Sequence, residues 1–446
     1  MSVTSVRLVE KRCVGCTTCI KRCPTEAIRV RGGKAHILTD LCIDCGMCMQ
    51  VCKHKAKIAE TKTLDEILAM PYRIKIALPP PSLYAQFEGN RNVNRILTAL
   101  RRIGFDAVFG VARGAEIITE ATRRFIAEHP RSNEEGPWIS SACPVIVRLI
   151  QNRFPSLIEN ILPLISPMEA AARIAREHFK EKGYRDEEIG VFFITPCPAK
   201  VSEVAFPRMV EKSAVTDTVA LNEIYYKIRP FIKSITDEEI ETLQLSGEEG
   251  IRWAHIGGES EGLGLNDILA VDGIDNVIEV LDHLENGLIQ RVEFVEANAC
   301  TGGCLGGPLA VENPFSAETR MKKVLRHNQH PQYNEELMEE TTNVASEKIL
   351  ENEDNLHLSS DMQEALRMMA ERDALHKVLP KIDCGACGAP TCFAFAADVV
   401  RGEAQPEDCI FYLRDRVKEV AQEMVNLSAK MPPSIKQKED VQNEEE

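Results

Sequence analysis

The exchange of apolar and polar positions along the chain changes period many times between residues 70 and 300. The spacing predicts a strand over 73–78, stopped by Pro79-Pro80-Pro81, then a helix over 92–102. A strand-like run follows at 105–109 and a helix at 116–125, and Trp138-Ile139 leads into an isolated cysteine, Cys143. Further on, 167–179, 221–228 and 277–284 read as helices, while 189–194, 268–271 and 287–295 read as strands. Strands alternating with helices predict an α/β domain, and open sheets of that class place their sites at the carboxyl ends of strands.

Outside this region the pattern differs. Residues 61–71 form a short helical connector, and 312–378 are mostly helix formers, strongly charged around 336–353. That charged run reads as a solvated helical face or a linker. Helices are expected over 362–376 and 393–400, with a closing amphipathic helix at 412–424. From about residue 432 the chain is charged, has few apolar residues to pack, and reads as disordered.

At 446 residues the chain is long enough for several domains. Its formal charge of -15 argues against nucleic acid as the main partner. No stretch reads as a secretory signal or a membrane span. Sixteen cysteines fall into clusters: eight near the N-terminus, four at Cys143, Cys197, Cys300 and Cys304, and four from Cys384 to Cys409. Clustered spacing in a long chain points to metal sites in a reducing cytoplasm rather than to a secreted disulfide scaffold.

Residues 1–60 contain an internal repeat. Cys13-x2-Cys16-x2-Cys19-x3-Cys23-Pro24 recurs 29 residues later as Cys42-x2-Cys45-x2-Cys48-x3-Cys52, with Lys53 in place of the proline. This resembles the bacterial two-cluster ferredoxin, an α+β unit in which the fourth cysteine of each run ligates the other cluster. The resemblance implies one [4Fe-4S] cluster on Cys13, Cys16, Cys19 and Cys52, and another on Cys42, Cys45, Cys48 and Cys23. Electron relay is the role that follows.

The stretch Glu296-Ala297-Asn298-Ala299-Cys300-Thr301-Gly302-Gly303-Cys304-Leu305-Gly306-Gly307-Pro308 places two thiols among glycines that let backbone approach closely. Cys143 sits in Ser140-Ser141-Ala142-Cys143-Pro144, where a loop enters a helix and aims backbone donors at an anionic group. Cys197 sits in Thr195-Pro196-Cys197-Pro198-Ala199-Lys200. Four thiolates suit an iron–sulfur or a zinc site. Near the end, Cys384-x2-Cys387-x4-Cys392-x16-Cys409 suits another cubane or a structural zinc, and resembles the small iron–sulfur domain of corrinoid iron–sulfur proteins and sensor-type hydrogenases.

With these motifs in this order, residues from about 70 to 330 resemble the catalytic domain of iron-only ([FeFe]) hydrogenases, a two-lobed α/β domain. The resemblance implies a cubane on Cys143, Cys197, Cys300 and Cys304. Cys304 would bridge it to a diiron unit carrying carbon monoxide, cyanide and azadithiolate. Lys200 falls on the lysine that pairs with a cyanide. Three positions depart from the pattern of active members: Ala142 replaces the proton-passing cysteine, Thr195 replaces a methionine, and so does Asn298. Of the paired acids on the usual proton route, Glu120 corresponds to one and Arg123 stands for the other. An alanine has no proton to pass, and placed acid–base groups contribute about 10²–10⁴ in rate. These departures resemble the sensory subgroup, which retains the metal site with low turnover.

The expected organisation is therefore a two-cluster ferredoxin domain over 1–60, a hydrogenase-type domain over 61–330 and a helical linker over 331–378. A small helical [4Fe-4S] domain over 379–430 and a disordered tail over 431–446 complete it. The expected cofactors are four [4Fe-4S] clusters and the diiron unit. The expected partners are hydrogen, protons, and a redox partner or downstream signalling protein. Two other readings compete. Eukaryotic hydrogenase-like proteins of cluster assembly resemble the middle domain but carry no diiron unit, implying an electron-transfer or scaffold role. A generic multicluster ferredoxin partner of a larger dehydrogenase accounts for the two ends and not for the middle.

Overall fold

A computed structural model describes residues 4–328, 343–353, 358–359 and 361–430. The tail expected to be disordered, 431–446, lies outside the described residues. The chain divides into two compact units, Met1–Cys13 with Leu38–Asn355, and Val14–Ile37 with Leu356–Glu446. In chain order the strands are β1 (Val6–Leu8), β2 (Ile28–Arg31), β3 (Lys34–Ile37), β4 (Lys57–Ala59), β5 (Ile74–Leu78) and β6 (Ala107–Val108). Then come β7 (Trp138–Ile139), β8 (Ile189–Thr195), β9 (Asp217–Ala220), β10 (Ile268–Asp272) and β11 (Phe294–Asn298).

The first unit holds two parallel sheets, of order β6-β5-β8-β9 and β10-β11-β7, and a small antiparallel pair β1-β4. All seven residues of β8 are buried. Their alternation explains why. Phe192 and Ile194 pack with Ile96 and Leu97 of the helix Val93–Arg102 and with Ile224 and Ile228 of the helix Leu221–Ser234. Val191 and Phe193 face the other way, onto Ala171 and Ile174 of the helix Pro167–Glu181. A parallel sheet covered on both faces needs a nearly continuous apolar run, and this strand supplies one. The helix beneath it starts where Ser166 accepts the Glu169 N–H and Pro167 fills the first helical position.

Several boundaries move. The strand expected over 105–109 contracts to Ala107–Val108, and the helix expected over 116–125 runs through Val111–Glu128. The strand expected over 287–295 starts only at Phe294 and continues to Asn298. Gly287 (φ +66°) and Arg291 (φ +60°) adopt left-handed backbone, which a strand cannot accommodate. Of the charged run at 336–353, residues 336–342 lie outside the described residues and 343–353 are not helical. The backbone of 343–353 is spoken for by the first unit: Ile165 N–H donates to Val344 O (2.9 Å), Ser346 N–H to Pro163 O (2.8 Å) and Glu347 N–H to Met209 O (2.7 Å).

The second unit combines the antiparallel hairpin β2-β3 with the helices Met362–Val378, Cys392–Val400 and Ile410–Ala429. Val30 N–H donates to Gly388 O at 2.8 Å. A side chain at Gly388 would place its first carbon 1.9 Å from Val30 O, so only glycine permits this approach. Asp398, fully buried, receives Arg29 Nε at 2.6 Å and Arg31 Nη2 at 2.9 Å. The first half of the N-terminal repeat thus folds with the C-terminal cysteines. Cys13, Cys42, Cys45, Cys48 and Cys52 lie in the first unit, and Cys16, Cys19 and Cys23 in the second. No described helix is long and apolar enough to cross a membrane.

Candidate active site

Both parallel sheets of the first unit send their strand ends to one place. β7 ends just before Cys143, which caps the helix Pro144–Arg153. β8 ends at Thr195, and Cys197 caps the helix Pro198–Ala205. β11 ends at Asn298, one residue before the Cys300 loop. The result is a cavity of about 100 Å³ lined by Cys143, Cys197, Cys300 and Cys304, with Ala142, Lys200, Asn298, Glu259, Glu296 and Trp253. Cys45 of the N-terminal repeat also lines it. The adjoining Gly46 has no room for a side chain, because Pro308 lies 2.4 Å from where its first carbon would stand.

Glycine makes the loop that carries Cys300 and Cys304 possible. Gly302 (φ +78°) and Gly303 (φ +66°) turn the chain, and the Gly302 N–H is held by the Asp272 carboxylate at the end of β10. Gly307 lies against the Cys197 loop, where a first side-chain carbon would stand 2.5 Å from Pro196 O. Leu309 N–H donates to that same oxygen at 2.9 Å. Two ligand-type loops are thereby fixed to each other through backbone.

The thiols are crowded and enclosed. Burial pushes the Cys197 thiol up to about 11 and the Cys304 thiol up to about 12, and neighbouring sulfurs add to both shifts. Burial and the other sulfurs also hold Cys300 well above its ordinary value. The surface that Cys304 leaves accessible faces the cavity. Among the described residues, no three Cys, His, Asp or Glu side chains converge as they would on a single metal ion. Four soft donors around a void fit a sulfur-rich iron cluster by donor chemistry, and such a group would take up the charge these thiols cannot carry alone.

The positions singled out for proton and ligand chemistry have separate fates. Lys200 lines the cavity and donates from Nζ to Ala142 O at 3.1 Å. Thr195 is buried and commits its hydroxyl to the loop: Oγ1 donates to Cys197 O (2.7 Å) and accepts from Cys197 N–H (3.2 Å). It shapes the cysteine loop and is not part of the cavity lining. Asn298 does line the cavity, and its Nδ2 donates to Glu296 Oε1 at 3.2 Å. Glu120 is not brought to the cavity. It lies half-exposed on the helix Val111–Glu128, paired with Arg124 and Arg123, which hold its carboxyl below the usual range.

Two carboxyls that the sequence did not single out stand in the cavity wall. Glu259 is buried and accepts the Ser140 hydroxyl at 2.7 Å; Ser140 Oγ in turn accepts Ala142 N–H at 3.3 Å. Glu296 is buried on β11 and accepts Gly257 N–H and Ser260 N–H, each at 2.9 Å. Burial first, and the neighbouring Glu296 second, raise Glu259 well above the carboxyl range; burial also raises Glu296. The only trace in the sequence is Glu296, a carboxylate between the apolar Phe294-Val295 and Ala297 of its strand. Gly257-Gly258-Glu259-Ser260 carries no periodic signal.

The N-terminal repeat is visible in local geometry as well. In both halves the fourth cysteine accepts the backbone N–H four residues on, Ala27 to Cys23 Sγ at 3.2 Å and Ala56 to Cys52 Sγ at 3.3 Å. Asp44, inside the second half, is fully buried and accepts Ser5 N–H, Val6 N–H and Arg148 Nη1 (3.0 Å). In the second unit Cys392 and Cys409 are buried among Leu379, Phe395 and Ala404, while Cys387 O accepts from Arg31 Nη1 at 2.5 Å.

Fold and site together define an α/β protein with a thiol-lined cavity at the strand ends of two parallel sheets. Residues 74–228 and 220–308 match the iron only hydrogenase large subunit, C-terminal domain, over more than half of the sequence, and the chain belongs to that family. Residues 5–53 match a 4Fe-4S dicluster domain, and 379–411 a putative Fe-S cluster domain. The chain is similar to the NADP-reducing hydrogenase subunit HndD of Solidesulfovibrio fructosivorans, 23% identical over 69% of this chain and 64% of that one. It is also similar to iron hydrogenase 1 of Clostridium pasteurianum, 25% identical over 56% of this chain and 53% of that one. It therefore spans less than two thirds of the length of either relative. In structure it resembles a variant of the [FeFe]-hydrogenase HydA1 from Chlamydomonas reinhardtii, with TM-score 0.50 and 14% identity. That likeness covers 65% of this chain and 98% of the other, and it bears on the fold alone.

Proposed function

We propose that this chain is a low-turnover [FeFe]-hydrogenase of the sensory type, whose redox state is read by a partner protein. The observation that carries the reading is the meeting of Cys143, Cys197, Cys300 and Cys304 around one cavity, with Lys200 in its wall. Those cysteines would hold a cubane, and Cys304 would also hold the diiron unit. When bound, that unit supplies the interconversion of protons, electrons and hydrogen. The N-terminal repeat, whose Cys45 reaches the cavity lining, and the C-terminal cysteines would hold three further [4Fe-4S] clusters for electron relay.

The residues of the cavity account for a slow reaction. Ala142 offers no exchangeable proton where a relay cysteine would stand. Lys200 keeps one N–H on Ala142 O and has others to offer an anionic ligand. Burial holds the Glu259 carboxyl well above its usual range in the cavity wall, where its Oε2 accepts the Ser140 hydroxyl. Glu296, also raised by burial, is held in place by two backbone N–H groups, so the two carboxyls stand together beside the cavity.

A second reading, an electron-transfer or scaffold protein without the diiron unit, draws on one observation. The Lys200 ammonium is already engaged by the Ala142 carbonyl within the protein. Dye-linked hydrogen uptake by the matured chain separates the two. Slow but measurable uptake is expected, and Ala142→Cys should raise it by about 10²-fold. Unchanged uptake in that variant, with cofactor loading equal, would end the relay argument; no uptake and no diiron loading, in protein whose cubane is intact, favours the second reading.

A further inference from the structure

The helix Ile410–Ala429, expected to close the C-terminal domain, buries none of its residues. Only Phe411 and Tyr412, in its first turn, pack on the core around Cys392 and Cys409. Six of its exposed apolar residues nevertheless share one spacing, with Val425 standing outside it. Ile410, Leu413, Val417, Val420, Met424 and Leu427 recur at alternating intervals of three and four. That is the two-position heptad seam of a coiled coil, narrower than the stripe a helix uses to sit on a globular core. All six side chains are between 42% and 66% exposed.

The charges beside the seam identify what covers it. With Ile410, Val417 and Met424 at position a, Leu413, Val420 and Leu427 fall at d. Position g then holds Arg416 and Glu423, and position e holds Arg414, Ala421 and Ser428. In a parallel pair of these helices, g faces the next e, setting Arg416 against Ala421 and Glu423 against Ser428, with no ion pair gained. In an antiparallel pair a faces d, and every seam residue finds a partner: Ile410 with Leu427, Leu413 with Met424, Val417 with Val420. Position g then faces g, so Arg416 of each copy meets Glu423 of the other, twice about one two-fold axis. Within its own helix Arg416 makes an exposed contact with Glu419 at 2.9 Å, of a kind that holds weakly and exchanges readily.

We propose that this helix is a self-association element, pairing two copies of the chain as an antiparallel two-helix coiled coil. The test is sedimentation equilibrium of the full chain with its clusters, under anaerobic conditions, from micromolar to sub-millimolar concentration. A monomer–dimer equilibrium is expected. Val417→Glu should abolish it while iron content and circular dichroism stay unchanged, since Val417 is 58% exposed and outside the core around Cys392 and Cys409. Arg416→Glu and Glu423→Arg should each weaken it by about tenfold, by turning two attractive contacts repulsive. An equimolar mixture of those two single variants should restore it, because every g–g contact in the mixed pair joins opposite charges. A chain that stays monomeric throughout, as it would if another segment of itself covered the seam, would overturn the proposal. So would a dimer indifferent to Val417→Glu, or charge reversals that neither weaken nor complement.

Discussion

The cavity cysteines and the C-terminal cysteines are both sets of four thiols, yet they are built in opposite ways. The cavity set draws its members from three loops, at Cys143, at Cys197 and at Cys300 with Cys304, each delivered by a different strand. The C-terminal set lies within one short stretch from Cys384 to Cys409, on the ends of two helices and the turn before them. Assembling the first needs both parallel sheets in place, since none of its loops is near another in sequence. The second needs only its own turn of chain and the hairpin β2-β3 that holds it. In the cavity set, burial and neighbouring sulfurs raise the thiols of Cys197, Cys300 and Cys304; in the C-terminal set, burial raises that of Cys387.

The sharpest way to break this comparison is to remove one ligand from each set. Cys300→Ala should abolish hydrogen uptake, whereas Cys392→Ala should leave uptake within a few-fold while reducing iron content. Iron analysis beside dye-linked uptake checks both, and equal losses from the two variants would show that the sites are not independent.

A smaller effect separates the two units by stability. Asp398→Asn leaves the buried Arg29 without its anionic partner, at a cost of about 3–5 kcal/mol. That loss should appear as faster hydrogen exchange in β2, β3 and the helix Cys392–Val400, with β5 and β8 of the first unit unaffected.

The smallest effect is a pH slope. The folded chain holds the Glu259 proton above the pH at which an unfolded carboxyl releases it. Between those values the folded state binds more protons than the unfolded state, so stability falls as pH rises until Glu259 ionises. Glu259→Gln should remove that contribution, leaving the unfolding midpoint flatter from about pH 5 upwards. An unchanged slope in thermal unfolding would mean that Glu259 titrates normally.

Much of this was readable in the sequence, for identifiable reasons. The alternation of periods from 73 to 298 foretold the α/β layering, and with it the delivery of three cysteine loops to strand ends. Backbone geometry beyond the pattern was less accessible: nothing marks Arg291 as left-handed, so β11 began later than expected. Glu120 was singled out by the family resemblance, but its side chain lies on the face that meets Arg123 and Arg124. Glu259 reaches the cavity only through tertiary folding of a glycine-rich turn. Likewise, no local signal shows that β2 and β3 fold with residues more than 300 positions away, because the contacts of Arg29 and Arg31 with Asp398 are long-range.

The most direct test of the central claim is infrared spectroscopy of the chain matured with a synthetic diiron cofactor, in the carbon monoxide and cyanide stretching region, under hydrogen and under inert gas. The account predicts protein-bound bands that shift when hydrogen is admitted. The absence of bound bands, in protein whose cubane on Cys143, Cys197, Cys300 and Cys304 is shown to be intact, would contradict it.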